Sequence, residues 1–90
     1  MADKKVTVTI GSTISVNPDP IQAKKNQDKV QWESTTGQFT IDLPGHTITY
    51  KQEGQKYIGL SGDFSTVGTL KYSVSASGKP VLDPEVEVVP

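Results

Sequence analysis

The chain has 90 residues, with nine lysines and no arginine against ten acidic residues, a formal net charge of −1, and no cysteine. That length holds one hydrophobic core but not two. A near-neutral balance gives no field to attract nucleic acid or an acidic membrane, and without guanidinium groups bidentate recognition of phosphate or guanine is closed. The missing cysteines exclude disulfides, thiolate metal sites and cysteine nucleophiles together.

Met1-Ala2-Asp3-Lys4-Lys5 leads into the alternating run Val6-Thr7-Val8-Thr9-Ile10, which reads as a strand and not as the apolar stretch of a signal peptide. No segment approaches the roughly 20 apolar residues of a bilayer span. The expectation is a cytoplasmic protein, with export and removal of a leader as the alternative. Ile14 and Val16 repeat the alternation around Ser15, and Asn17-Pro18-Asp19-Pro20 is rich in turn formers. Ile21 to Lys25 has room for one helical turn at most, after which Asn26-Gln27-Asp28 enters a strand carrying Val30 and Trp32.

Phe39, Ile41 and Leu43 alternate with Thr40 and Asp42 up to Pro44-Gly45, where a fixed φ and a permissive residue favour a turn. Ile48 and Tyr50 then alternate with threonines, and a loop from Lys51 to Lys56 separates them from Tyr57-Ile58-Gly59-Leu60. Leu70, Tyr72 and Val74 face inward against Lys71, Ser73 and Ser75, and Val86 to Val89 form the last strand. Apolar positions nowhere recur at three and four, and the threonines and valines disfavour helix through restricted χ1. The expected fold is all-β: a two-sheet antiparallel sandwich of seven or eight short strands, one domain over residues 1–90.

Few residues offer chemistry. His46 is the only imidazole, and one turn histidine does not supply the three or four converging ligands of a metal centre, so it reads as a solvated loop residue. Asp83, Glu85 and Glu87 could offer oxygen ligands, but the two glutamates alternate with Val86 and Val88 as the outer face of a strand does. Gly59-Leu60-Ser61-Gly62-Asp63 ends in Asp where a nucleophile elbow needs glycine, no helix pattern follows, and it reads as a turn. The glycines at 54, 59, 62 and 68 are too dispersed to cradle a phosphate. Tyr50, Tyr57 and Phe64 are possible stacking rings, with core packing the preferred reading of each. Lysines 24, 25 and 29 gather at one turn, as solubilising charges at a strand end do.

Ile14-Ser15-Val16, the segment Ile21 to Trp32 with its Asp28-x-Val30-x-Trp32 strand, and the closing pair Leu70-Lys71-Tyr72-Ser73-Val74 and Val86-Glu87-Val88 resemble the corresponding strands of cupredoxins, plastocyanin- and azurin-type Greek-key sandwiches. The resemblance covers nearly the whole chain. It implies copper ligands near Gln38 or Phe39, at Val74, near Ser77 and near Leu82, and none of these side chains substitutes for imidazole or thiolate. What it implies is a non-catalytic, copper-free, cupredoxin-like module without cofactor or metal, whose partner is another protein. Contact would be made through the loops Ser34 to Gln38 and Ser75 to Asp83, or through a sheet edge, in a monomer or weak homodimer. The C-terminal strand around Val86 and Val88 is the edge expected to self-associate. The alternative is an immunoglobulin-like or fibronectin-like adhesion or carbohydrate-binding domain of a larger secreted protein.

Overall fold

The computed structural model describes residues 3–90, which form ten strands and no helix. In chain order these are β1 (Asp3–Ile10), β2 (Ile14–Asn17), β3 (Ile21–Lys24), β4 (Lys29–Ser34), β5 (Thr40–Asp42), β6 (Thr49–Glu53), β7 (Lys56–Leu60), β8 (Gly68–Lys71), β9 (Ser73–Ser75) and β10 (Glu85–Val89). A five-stranded sheet runs β2-β1-β4-β7-β6, a three-stranded sheet β3-β10-β8, and a two-stranded sheet β5-β9. Tyr72 alone separates β8 from β9, so the two smaller sheets share one continuous segment and together form the second layer.

Three expectations are corrected. The sheets are mixed, because β1 runs parallel to β4 and β3 parallel to β10. Ile21 to Lys25 holds no helical turn: Ile21 and Ala23 are buried while Gln22 and Lys24 are exposed, the two-residue period of β3 laid along β10. The strand count rises from seven or eight to ten partly because Leu70–Val74 changes partners midway. Lys71 pairs with Glu85, the Tyr72 amide bonds the Pro84 carbonyl, and Val74 exchanges both bonds with Leu82 while its strand pairs β5 on the other side.

The inward faces of both layers meet in one core. Val6, Val8, Val30 and Trp32 come from the large sheet, and Ile21, Ala23, Ile41, Tyr72, Val74, Val86 and Val88 from the second layer. Trp32 and Tyr72 pack edge to face with centroids 5.2 Å apart, the arrangement that sets a ring's positive edge on its neighbour's negative face. Among the described residues neither Trp32 Nε1 nor Tyr72 Oη has a well-formed hydrogen bond, and the indole beside the hydroxyl gives it at most a weak polar contact. Burial pushes the Tyr72 hydroxyl up to about 12, the Trp32 indole pulls it down in part, and the Asp19 carboxylate adds to the rise.

The entry to the tryptophan strand is fixed by a buried carboxylate. Asp28 Oδ2 accepts the Lys24 amide at 2.9 Å, the Asp28 amide returns to the Lys24 carbonyl at 3.0 Å, and Lys4 Nζ lies 4.0 Å away. Asn26 takes the left-handed conformation, φ 58°, which a short polar side chain tolerates, and turns the chain between these anchors.

Candidate functional site

Of the positions that the cupredoxin resemblance assigns to copper ligands, Phe39, Val74 and Leu82 are taken up by packing and Gln38 is exposed. Phe39 and Val74 belong to the buried core, Leu82 packs against it, and Ser77 is exposed. Among the described residues no three of His, Cys, Asp and Glu come together. The loop Ser34 to Gln38 is braced from within and from outside: Thr36 Oγ1 accepts the Ile10 amide at 2.7 Å and lies 3.2 Å from Ser34 Oγ. The β5–β9 register sets Thr40 opposite Ser75, so this loop and the one leaving Ser75 sit side by side at one end of the sandwich.

The other sequence candidates are committed elsewhere. His46 is half-buried and not freely solvated, its ring 4.9 Å from that of the buried Phe64. Ser61 is buried; its hydroxyl accepts the Val30 amide at 2.9 Å and donates to the Gly62 carbonyl at 3.0 Å, so its donor and its acceptor are both engaged with the backbone. Gly59 and Leu60 lie in β7, so the turn begins only after them. Glu85 and Glu87 are half-buried, and Glu85 lies 4.0 Å from Lys71.

The C-terminal strand is not an edge. β10 lies between β3 and β8, with Val86 and Val88 buried. The open edge next to a cleft is β6. Sequence reading placed Lys51 to Lys56 in a loop, whereas these residues are the two arms of a hairpin whose loop is only Gly54-Gln55. Gly54, at φ 61°, holds the first loop position, where primed hairpin turns require a positive φ and glycine supplies it without steric cost. Every residue of β6 is exposed.

Hydrogen-bond parity fixes which backbone groups of β6 are free. The Ser61 amide bonds the Val30 carbonyl, so Tyr57, Gly59 and Ser61 turn toward β4, and Lys56, Ile58 and Leu60 turn toward β6. Their partners Glu53, Lys51 and Thr49 therefore face β7, and Tyr50 and Gln52 direct their N–H and C=O groups away from the sheet. Side-chain parity divides the same strand differently. Thr49, Lys51 and Glu53 stand on the outer face, where Lys51 Nζ is 3.3 Å from Glu53 Oε2, and Tyr50 and Gln52 lean toward the seam between the layers.

That seam is a cleft of about 320 Å³ lined by Gln38, Phe39 and Thr40 on one side and by Tyr50, Lys51, Gln52, Tyr57 and Ile58 on the other. Gly59 makes room for it. Opposite Tyr50 in the register, Gly59 lacks the Cβ that would stand 3.4 Å from Tyr50 Cε1 and 3.5 Å from Phe39 Cε2. The tyrosine ring lies over the bare glycine, and its hydroxyl reaches β5, accepting the Ile41 amide at 2.8 Å and donating to the Ile41 carbonyl at 3.1 Å. Tyr50 is 47% exposed, against the core placement preferred from the sequence, while Tyr57 is half-buried and Phe64 buried. One signal was available: Thr49 to Glu53 carries a single apolar side chain in five residues, the composition of a strand with no layer covering its far side.

Chemically, the arrangement offers two outward peptide groups, an aromatic and amide-lined cleft beside them, and a lysine and a glutamate on the outer face. It can hold an extended chain. No helix of the described residues is long and apolar enough to cross a membrane. No protein-family model and no curated protein matches the chain. Among solved structures, it is similar to the crystal structure of the cysteine protease inhibitor EhICP2 from Entamoeba histolytica, with a TM-score of 0.59, 15% sequence identity and coverage of 99% of each chain. At that identity the likeness is one of fold.

Proposed function

We propose that the chain is a non-catalytic, copper-free, cupredoxin-like binding module that recognises another protein by adding an extended segment of it to β6. The observation that carries the reading is the free edge of β6, with the Tyr50 and Gln52 peptide groups directed outward beside a cleft that can take a side chain. In strand addition main-chain bonds supply affinity and adjoining pockets supply selectivity, and both are present within five residues. Support for the cupredoxin-like scaffold comes from the pairing of Leu70-Lys71 with Val86 and Glu85, and from the Trp32 strand at the centre of the opposite layer.

The test uses peptides selected from a random library and titrated into isotope-labelled protein. The edge reading expects amide shifts at Tyr50 and Gln52 and side-chain shifts at Phe39 and Tyr57. It also expects binding to be lost in Gln52→Pro, where proline removes an outward donor and leaves the β7 ladder intact. Shifts confined to Ser34 to Gln38 and Ser75 to Asp83 would transfer recognition to the loop end and end the edge reading.

A second reading is favoured by the likeness over nearly the full length of both chains: the bound protein is a cysteine protease, as the name of the neighbour says of that protein. Inhibition of a panel of cysteine proteases by the purified chain supports it, and unchanged protease activity at saturating protein removes it.

A further inference from the structure

We propose that the segment β6 accepts is β6 of a second copy of this chain, paired antiparallel about a two-fold axis at Gln52. The inference rests on the reading of β6 as an open binding edge and names its occupant. Only Tyr50 and Gln52 present outward peptide groups, so an isologous antiparallel pair has three registers, centred on Tyr50, Lys51 or Gln52.

Charge separates these registers. Centring on Lys51 sets two lysines directly opposite in a non-hydrogen-bonded pair, where side chains approach closest and like charges repel. Centring on Tyr50 sets Lys51 against Thr49 and forms no pair of opposite charges. Centring on Gln52 makes Gln52 the bonded pair and sets Lys51 opposite Glu53 of the other copy, twice by symmetry. In that register the exposed Tyr50 lies opposite Gly54, the first loop residue of the other copy's hairpin, which has no Cβ to crowd the ring. The strand is thus complementary to itself in charge and in shape, and the two large sheets join across the axis.

Self-pairing and partner binding use the same edge and exclude each other, so the dimer shields the free peptide groups until a better segment displaces it. A contact this short is a weak one, formed at high protein concentration.

Sedimentation equilibrium of the full chain up to about 1 mM, at low and high salt, provides the test. Wild type is expected to dimerise, less so at high salt. Lys51→Glu and Glu53→Lys, each placing like charges face to face, lower the association constant roughly tenfold or more. The double variant Lys51→Glu with Glu53→Lys restores it, because each glutamate again faces a lysine. All four proteins are expected to keep a sharp thermal transition, since both side chains are exposed. Concentration-dependent shifts at the Gln52 amide place the contact on β6. Equal association of all four proteins, or shifts confined to another face, overturns the proposal. A wild type that stays monomeric overturns it too; if selected peptides still move the Tyr50 and Gln52 amides, the edge reading survives that failure, and if they do not, both fall.

Discussion

Tyr50 completes the edge of a strand in the other layer: its hydroxyl accepts the Ile41 amide at 2.8 Å and returns its proton to the Ile41 carbonyl at 3.1 Å. A side chain here does what a neighbouring strand would do for β5. The consequence is an asymmetry between two adjacent edges, since β5 is closed by the tyrosine while the strand that carries it stays open.

Tyr50→Phe keeps the ring over Gly59 and removes both bonds. The Ile41 N–H and C=O lose their protein partner in a partly buried place, which costs about 1 to 3 kcal/mol. Thermal melting should fall accordingly, and hydrogen exchange should speed up first at the Ile41 amide. Unchanged exchange at Ile41 would show that the clamp does not hold in solution.

Gly59→Ala inserts a Cβ 3.3 Å from Ile48 Cγ2 and 3.4 Å from Tyr50 Cε1. The Ile48 methyl has to give by a few tenths of an ångström and the Tyr50 ring stands at the limit of ordinary contact, for an overpacking cost of about 1 kcal/mol. Both substitutions act through one side chain, so the double variant with Tyr50→Phe should lose less than the two singles combined. Strict additivity in that cycle would separate the glycine from the clamp.

Asp28→Ala removes the acceptor of the Lys24 amide and the partner of Lys4 in one step. The unpaired amide, partly buried at an exposed turn, should cost about 1 kcal/mol, measured by denaturant melting. Asp28→Asn, which keeps an acceptor oxygen, should recover most of it. Equal losses in the two variants would mean that the charge, and not the hydrogen bond, fixes the turn.

Tyr72 makes the fold sensitive to alkali. Its hydroxyl is raised from 10.0 to about 12, chiefly by burial, so between those values the unfolded chain releases the proton and the folded chain retains it. Below pH 10 the group contributes no pH dependence; through the window stability falls by about 1.4 kcal/mol per pH unit, and above the folded value it levels off. Tyr72→Phe removes that slope and, because the buried hydroxyl has no well-formed hydrogen bond, should be neutral or stabilising at pH 7. Denaturant melts of both proteins from pH 8 to 12 compare the slopes directly, with lysine titration common to both; parallel curves would place the hydroxyl in contact with solvent.

Trp32→Ala deletes the largest fully buried side chain and should cost about 3 to 5 kcal/mol, most of the stability of a domain this small. A sharp transition near the parent temperature would contradict its place in the core.

Alternation alone located most of the strands. Val6 and Val8, Val30 and Trp32, and Val86 and Val88 are buried because side chains in a strand point to opposite faces with a period of two, and that period is local information. What one sequence does not carry is which strand lies beside which. The C-terminal valines read as a possible edge and are central because β3 and β8 enclose them, whereas the polar run Lys51 to Lys56 reads as a loop and its first half, Lys51 to Glu53, belongs to the edge strand. Tyr50 shows the same limit at one residue: its place in the alternation predicts an inward ring, which it has, but its exposure follows from β6 ending the sheet and its hydroxyl contact from the nearness of Ile41. Burial pattern is thus decided by the chain within a few residues, while edges, clefts and open peptide groups are decided by neighbours far apart in sequence, because a backbone donor is free or satisfied only according to what folds against it.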